Sequence, residues 1–353
     1  MSTQDASQYK CPNCGAEIVF DPQTQKMVCH YCRSVFSKED FSEISSEIEA
    51  ETAANAEAEE WFASHTNLYS CSSCGAQIIA DNNTTATFCY YCHNPVILSG
   101  KLKGEYRPSR IIAFQLTREE AIEKFNQWCG NRKFLPKDFR SEDQLEKMTG
   151  LYVPFWVADC NVKVDYSAIG KKVTSWTTGN YRYTKTDEYS VTRNSRIHIN
   201  GIPADGESKI EDLLMESIEP FNYKELKAFD MSYFSGFYAD LYDVDKAGVF
   251  PRIKERADDA SKKIIRESVN GYSVLSARNE SYNLEKTKWE YIMLPVWFMT
   301  YRYNDKTYEF ALNGQTGKLA GTPPLDKKAL FWFSAKIGLA VAAVIYLGGL
   351  LFL

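Results

Sequence analysis

The sequence predicts a multidomain fold: two small four-cysteine ribbons built on β-hairpin knuckles, a central α+β domain rich in antiparallel strands, and one C-terminal transmembrane helix. Three observations predict it. Eight of the ten cysteines fall into two quartets of identical spacing. The middle of the chain alternates period-2 strand patterns with amphipathic helical ones. The segment 330–353 contains one charge, Lys336.

The first quartet is Cys11, Cys14, Cys29 and Cys32, and the second is Cys71, Cys74, Cys89 and Cys92, offset by 60 residues throughout. Each reads C-x2-C, a gap of 14 residues, then C-x2-C. Two cysteines with two residues between them wrap one metal, and a gap of this length returns the chain through one hairpin. This is the pattern of a tetrahedral Zn–S4 ribbon. The match extends without a gap to Tyr9/Tyr69, Gly15/Gly75, Ala16/Ala76, Ile18/Ile78, Asp21/Asp81, Thr24/Thr84 and Tyr31/Tyr91. The sequence therefore predicts two structural Zn²⁺ ions, each with all four positions filled by sulfur. His30 and His93 are bystanders, and no cofactor other than zinc is expected. Metal binding supplies the folding energy that so small a unit cannot obtain from its own core.

Charge is distributed unevenly. Residues 1–100 carry 4 Lys/Arg and 13 Asp/Glu, 101–326 carry 34 and 33, and 327–353 carry three lysines and no acid. Nucleic-acid affinity is dominated by Lys and Arg against phosphate, so the acidic ribbon module argues against direct nucleic-acid binding and for protein–protein contact. The segment 1–10 is polar and has no leader character. Paired CxxC motifs without a leader indicate a reducing compartment.

Along the chain, 1–36 forms the first ribbon and 37–66 an acidic helical linker rich in Glu and Ala. Residues 67–100 form the second ribbon and 101–326 the α+β core, readable as two related halves. In the core, Ile111 to Phe114 reads as a strand. Thr117-x-x-Glu120 is a capping box ahead of a helix with Ala121, Phe125 and Trp128 on one face. Ala158, Cys160, Val162, Val164 and Tyr166 alternate with polar residues as a half-buried strand. Further strands are expected over 181–191, 196–199, 289–303 and 307–312. Ser208-x-x-Glu211 is expected to open a second helix, and Pro251, as first helical residue, a third. Cys129, Cys160 and His198 read as structural. Pro154-x-Trp156 and Pro295-x-Trp297 form a weak repeat, and proline there suggests an edge strand or bulge.

Residues 327–353 are expected to form the membrane tail anchor. The stretch is long enough to cross about 30 Å of hydrocarbon, and Phe331, Trp332 and Phe333 suit an interface. Lys327, Lys328 and Lys336 at its N-terminal side place the rest of the chain in the cytoplasm.

The knuckles CPNCGAEI and CSSCGAQI resemble the bacterial YdjG-like membrane-anchored double zinc-ribbon proteins. So do the core stretches TREEAIEKFNQW, MTGLYVPFWVAD, DLLMESIEPFNYKELKAFDMSYFSGFYAD and LPVWFMTYRYNDKTYEFALNGQTGKLAG. The likeness runs over nearly the full length. It implies recruitment at the cytoplasmic face of the cell membrane in an envelope-stress, phage-shock-like response. The partners it implies are the lipid bilayer and cytosolic or membrane proteins, among them a phage-shock-protein-A homologue and co-encoded membrane proteins. The expected function is thus a membrane-anchored cytoplasmic adaptor or scaffold and not an enzyme. Two other classes stand beside it. One is a nucleic-acid-associated zinc-ribbon protein of replication or transcription, against which the absence of a G-x-x-x-x-G-K-[ST] loop counts. The other is an enzyme with a dispersed site, against which the absence of HExxH and GxSxG counts.

Overall fold

In a computed structural model the chain is described over residues 10–16, 18–21, 26–37, 58–81, 89–92, 94, 96–101, 106–130, 132–234 and 237–351. Most of the expected linker helix, 38–57, and both hairpin turns of the ribbons lie outside these residues.

The first ribbon contributes β1 (Val19–Asp21), β2 (Lys26–Val28) and β3 (Val35–Phe36), a small antiparallel sheet in that order. Helix α1 over 58–65 follows. The second ribbon brings β4 (Thr66–Cys71), β5 (Gln77–Asp81) and β6 (Val96–Lys101). Next come β7 (Arg110–Ile111), α2 (Arg118–Gly130), α3 (Glu142–Leu145), β8 (Thr149–Thr178) and β9 (Tyr181–Asp205). Then follow α4 (Asp212–Ser217), β10 (Lys227–Ala228), β11 (Tyr238–Asp240), α5 (Lys246–Ser268), β12 (Val274–Tyr303), β13 (Lys306–Asn313), β14 (Leu319–Gly321) and α6 (Lys327–Leu351).

One mixed sheet runs β10-β7-β12-β8-β11-β5-β4-β6, with β9 on β8 and β13-β14 on β12. The second ribbon is therefore continuous with the core sheet through the β5–β11 ladder, where Ala239 pairs with Ile79 and Asp240 with Ile78. The central pair is β8 with β12, antiparallel over nearly their whole length. The alternation read around 158–166 holds: Ala158, Cys160, Val162, Val164 and Tyr166 are all buried.

The Pro-x-Trp repeat lies at the middle of this sheet, at neither an edge nor a bulge. Pro154 pairs with Met293 and Pro295 with Tyr152. Each proline sits where its strand exchanges neighbours. β8 pairs in parallel with β11 up to Tyr152 and with β9 from Phe155. β12 pairs in parallel with β7 up to Met293 and with β13 from Val296. The missing proline N–H thus falls between two partners, while the carbonyl on the same side is used: Gly206 N donates to Pro154 O and Gly314 N to Pro295 O. The tryptophans repeat the symmetry. Trp156 Nε1 donates to Val244 O, in the loop between β11 and α5, and Trp297 Nε1 donates to Leu116 O, in the loop between β7 and α2. Two β-α-β-β units (β7-α2-β8-β9 and β11-α5-β12-β13) are thereby interleaved, because the first strand of each pairs with the second strand of the other.

The helices follow local chemistry, with two differences from expectation. The capping box holds: Glu120 N donates to Thr117 Oγ1 and Thr117 N to Glu120 Oε2. Ser208 opens no helix, because its N–H and hydroxyl both donate to Asp243, and α4 begins only after Glu211. Helix α5 starts five residues before Pro251, at the Asp245 N-cap, whose carboxylate accepts from Gly248 N.

The expected transmembrane helix is corrected by the structure. Among the described residues no helix is long and apolar enough to cross a membrane. Helix α6 exists, but Lys327, Lys328 and Lys336 charge its first two and a half turns. The tail anchor and the single-pass placement at the cell membrane, with the soluble domains on its cytoplasmic face, rested on that helix and fall with it.

Candidate metal centres

Each knuckle is a tight turn closed by its own backbone. In the first ribbon Gly15 N donates to Cys11 O and Cys11 N to Ala16 O, and in the second Gly75 N donates to Cys71 O and Cys71 N to Ala76 O. The turn needs a left-handed residue after the second cysteine. Gly15 and Gly75 both take φ of 74°. In the second knuckle of the first ribbon this place is held by Arg33 at φ 62°, with Arg33 N donating to Cys29 O.

These turns aim four sulfurs at one point, twice. In each of the quartets Cys11, Cys14, Cys29, Cys32 and Cys71, Cys74, Cys89, Cys92, all sulfurs lie within 4.8 Å of one another. Cys11–Cys32 and Cys14–Cys29 are 3.6 Å apart, Cys71–Cys92 3.5 Å and Cys74–Cys89 3.6 Å. A disulfide requires about 2.05 Å, so these are four-thiol clusters. A tetrahedron with Zn–S bonds of about 2.3 Å has edges of about 3.8 Å, close to these separations. Each cluster can hold one metal ion, and the donor set fits a soft or borderline cation.

Proton affinities within the first quartet split. The thiols of Cys11 and Cys14 hydrogen-bond to Cys32 and hold it down at about 2, while the Cys14 thiol is pushed well above the ordinary range by its bonds to Cys11 and Cys32 and by burial. In the second quartet burial lifts the Cys89 thiol. Four sulfurs in van der Waals reach do not all ionise without a cation among them, so metal uptake releases protons.

Cys129 and Cys160 are buried away from both clusters, and burial pushes each thiol up to about 11. His30 is exposed and outside the first quartet. His198 lies on β9, its Nδ1 2.5 Å from Asn161 Oδ1.

The residues that seat the clusters on the core were not foreseen. Asn13, inside the first knuckle, is fully buried. Its Nδ2 donates to Ser34 Oγ at 2.8 Å and to Glu285 O at 3.4 Å, and its Oδ1 accepts from Thr287 N at 2.9 Å. Trp289 Nε1 donates to Asn13 O at 2.8 Å. The amide thus stands in for a neighbouring strand at the β12 bulge between Leu284 and Lys286. Tyr31 OH donates to Ala247 O at 3.1 Å. That carbonyl is free because its helical partner, four residues on, is Pro251.

In the second ribbon the other knuckle is the anchor. Tyr91 OH donates to Asp240 Oδ2 at 2.5 Å, and Tyr90 is buried beside the same carboxylate. Burial first, and the charge of Glu207 second, raise Asp240 well above the carboxylate range, and burial raises Glu207 to about 7.

Comparison with known proteins finds one full-length likeness. The chain is 34% identical over 331 residues to the uncharacterized protein YdjG of Bacillus subtilis (strain 168), covering 94% of each. No family model and no solved structure matches. The chain belongs to the YdjG family.

Proposed function

We propose that this member of the YdjG family is a protein-binding adaptor whose two cysteine quartets each carry a structural Zn²⁺. The observation that carries the reading is a groove of about 800 Å³ between the first ribbon and the core. It is walled on one side by Arg33, Val35 and Phe36 and on the other by Arg196, Lys254 and Tyr282. Apolar rings and long cations, of which Arg196 is paired with Glu285 and Lys254 with Asp258 of the same chain, suit an acidic protein segment that shares those cations and also offers apolar side chains. Four-sulfur sites have no open coordination position, so metal there braces the wall and leaves chemistry aside. In their spacing, the sulfur clusters support zinc over the harder divalent cations.

Two measurements test this. Plasma mass spectrometry of the full chain purified under reducing conditions is expected to return two zinc ions per chain, and one or none refutes the metal assignment. Crosslinking in the native cell is expected to join Lys254 or Lys286 to a partner protein, and the doubly charge-reversed variant R33E/K254E to lose those links with zinc content unchanged. Absence of any partner crosslink near the groove refutes the adaptor reading.

A further inference from the structure

The β8–β9 hairpin outgrows the sheet. The β12 ladder on β8 ends at the Val274–Lys171 pair. From there to the turn at 179–180 only β8 and β9 pair, and the outer edge of β9 has no partner strand among the described residues. Val173, Trp176, Tyr181, Tyr183 and Tyr189 on this arm are between 42% and 72% exposed. Edge strands normally carry a proline, a bulge or clustered like charge against unwanted pairing. Over 181–191 β9 has no proline, its register on β8 is unbroken, and its charges are of both signs, Arg182 and Lys185 followed by Asp187 and Glu188, which suits antiparallel pairing with a second copy of itself.

The register of any further pairing is fixed by backbone direction. Thr178 and Tyr181 pair across a two-residue turn whose first residue, Gly179, has φ of 59°, as in a type II′ hairpin. Such a flanking pair is hydrogen-bonded, so 181, 183, 185, 187 and 189 direct N–H and C=O toward β8, while 182, 184, 186, 188 and 190 direct theirs outward. Antiparallel pairing with an identical strand about a twofold axis at Thr186 matches the outward set to itself. It also sets Lys185 opposite Asp187 of the second copy, Tyr183 opposite Tyr189 and Tyr181 opposite Val191, and each match occurs twice. Moving the axis to 185 or 187 sets Lys185 on Lys185 or Asp187 on Asp187, which is unfavourable. The Trp176–Tyr183 stack, with centroids 5.7 Å apart and planes at 16°, is extended by the second copy's Tyr189. Asp187, 3.1 Å from Lys185 of its own chain, gains a second lysine.

We propose that two copies of this chain pair through the free edge of β9, antiparallel about a twofold axis at Thr186, into one continuous sheet. The edge is self-complementary in charge and in aromatic placement, and it lies apart from both metal clusters, so the pairing goes beyond the adaptor reading and does not depend on it. Sedimentation of the full chain tests it. The unsubstituted chain is expected to sediment as a dimer at ~50 µM, and K185E and D187K, each checked for an unchanged circular dichroism spectrum, to dimerise at least about tenfold more weakly. An equimolar mixture of the two variants is expected to recover the dimer, because in the mixed pair each introduced charge faces its opposite. A monomeric unsubstituted chain at ~100 µM, single variants that dimerise normally, or a mixture that stays monomeric each overturns the proposal.

Discussion

The two ribbons share their cysteine spacing and their knuckle hydrogen bonds, yet they meet the core with opposite knuckles. The first ribbon presents its first knuckle, so Cys14 is fully buried and Asn13 plugs the β12 edge, while His30 of the second knuckle faces solvent. The second ribbon presents its second knuckle, so Tyr90 and Tyr91 enter the core, while Ser73 and Cys74 are exposed. Even the bond joining the knuckles is reversed. Asn13 donates to Ser34 in the first copy, and Asn94 donates to Ser73 in the second. After duplication, a metal-braced turn keeps its fold whichever face docks, and the residues between the cysteines choose the face. A further contrast follows, since the second ribbon shares ladders with the core sheet and the first has a three-stranded sheet of its own.

The largest expected break in this contrast comes from the metal sites. Cys89→Ser should unfold the second ribbon together with its sheet neighbours, at a cost of several kcal/mol and a fall in melting temperature of roughly 10 °C or more. Cys29→Ser should release only the first ribbon and leave the main transition within a few degrees. Calorimetry with hydrogen exchange distinguishes the two, and equal effects would mean that the ribbons are equivalent. Next is the second ribbon's anchor. Asp240→Ala strands a buried Tyr91 hydroxyl and should cost about 2–3 kcal/mol in urea unfolding, whereas Asp240→Asn keeps an acceptor and should cost about 1 kcal/mol or less.

The same anchor makes stability depend on pH. Glu207 is raised by burial from 4.5 to about 7. Below the unfolded value both states hold the proton. Between the two values the folded chain holds it and the unfolded chain does not, so stability falls as pH rises through that window, by about 3 kcal/mol at most. Glu207→Gln should flatten the slope of urea midpoints between about pH 4.5 and 7, and an unchanged slope would assign it elsewhere. The smallest effect belongs to the first ribbon's outer bond: Tyr31→Phe should cost about 0.5–1 kcal/mol, read as faster exchange near Ala247 with the first ribbon still folded.

The cysteine clusters were legible because C-x2-C spacing leaves few geometries, and the β8 core face because its alternation is long. The capping box at Thr117 was legible for the same local reason. Asn13 and Tyr90 were hidden in differences between the copies, since Asn13 answers Ser73 and His30 answers Tyr90, while the docking pair Tyr31/Tyr91 was visible only as part of the repeat. Their partners, Thr287 and Asp240, lie far away in sequence, so no spacing pointed to them. Ser208 misled because its hydroxyl had a tertiary acceptor in Asp243, and Pro251 because a helix tolerates proline where the orphaned carbonyl finds a tyrosine.

Interleaving the two β-α-β-β units sets a timetable for synthesis. β7 finds its parallel partner on β12 only after about 180 further residues have been made. At roughly 5–20 residues per second that is a wait of about 10–40 s. Over that interval neither half can close its sheet, and the nascent chain exposes two half-built strand edges. A ribbon that folds on its own metal early in synthesis gives such a chain one finished surface while it waits for the other.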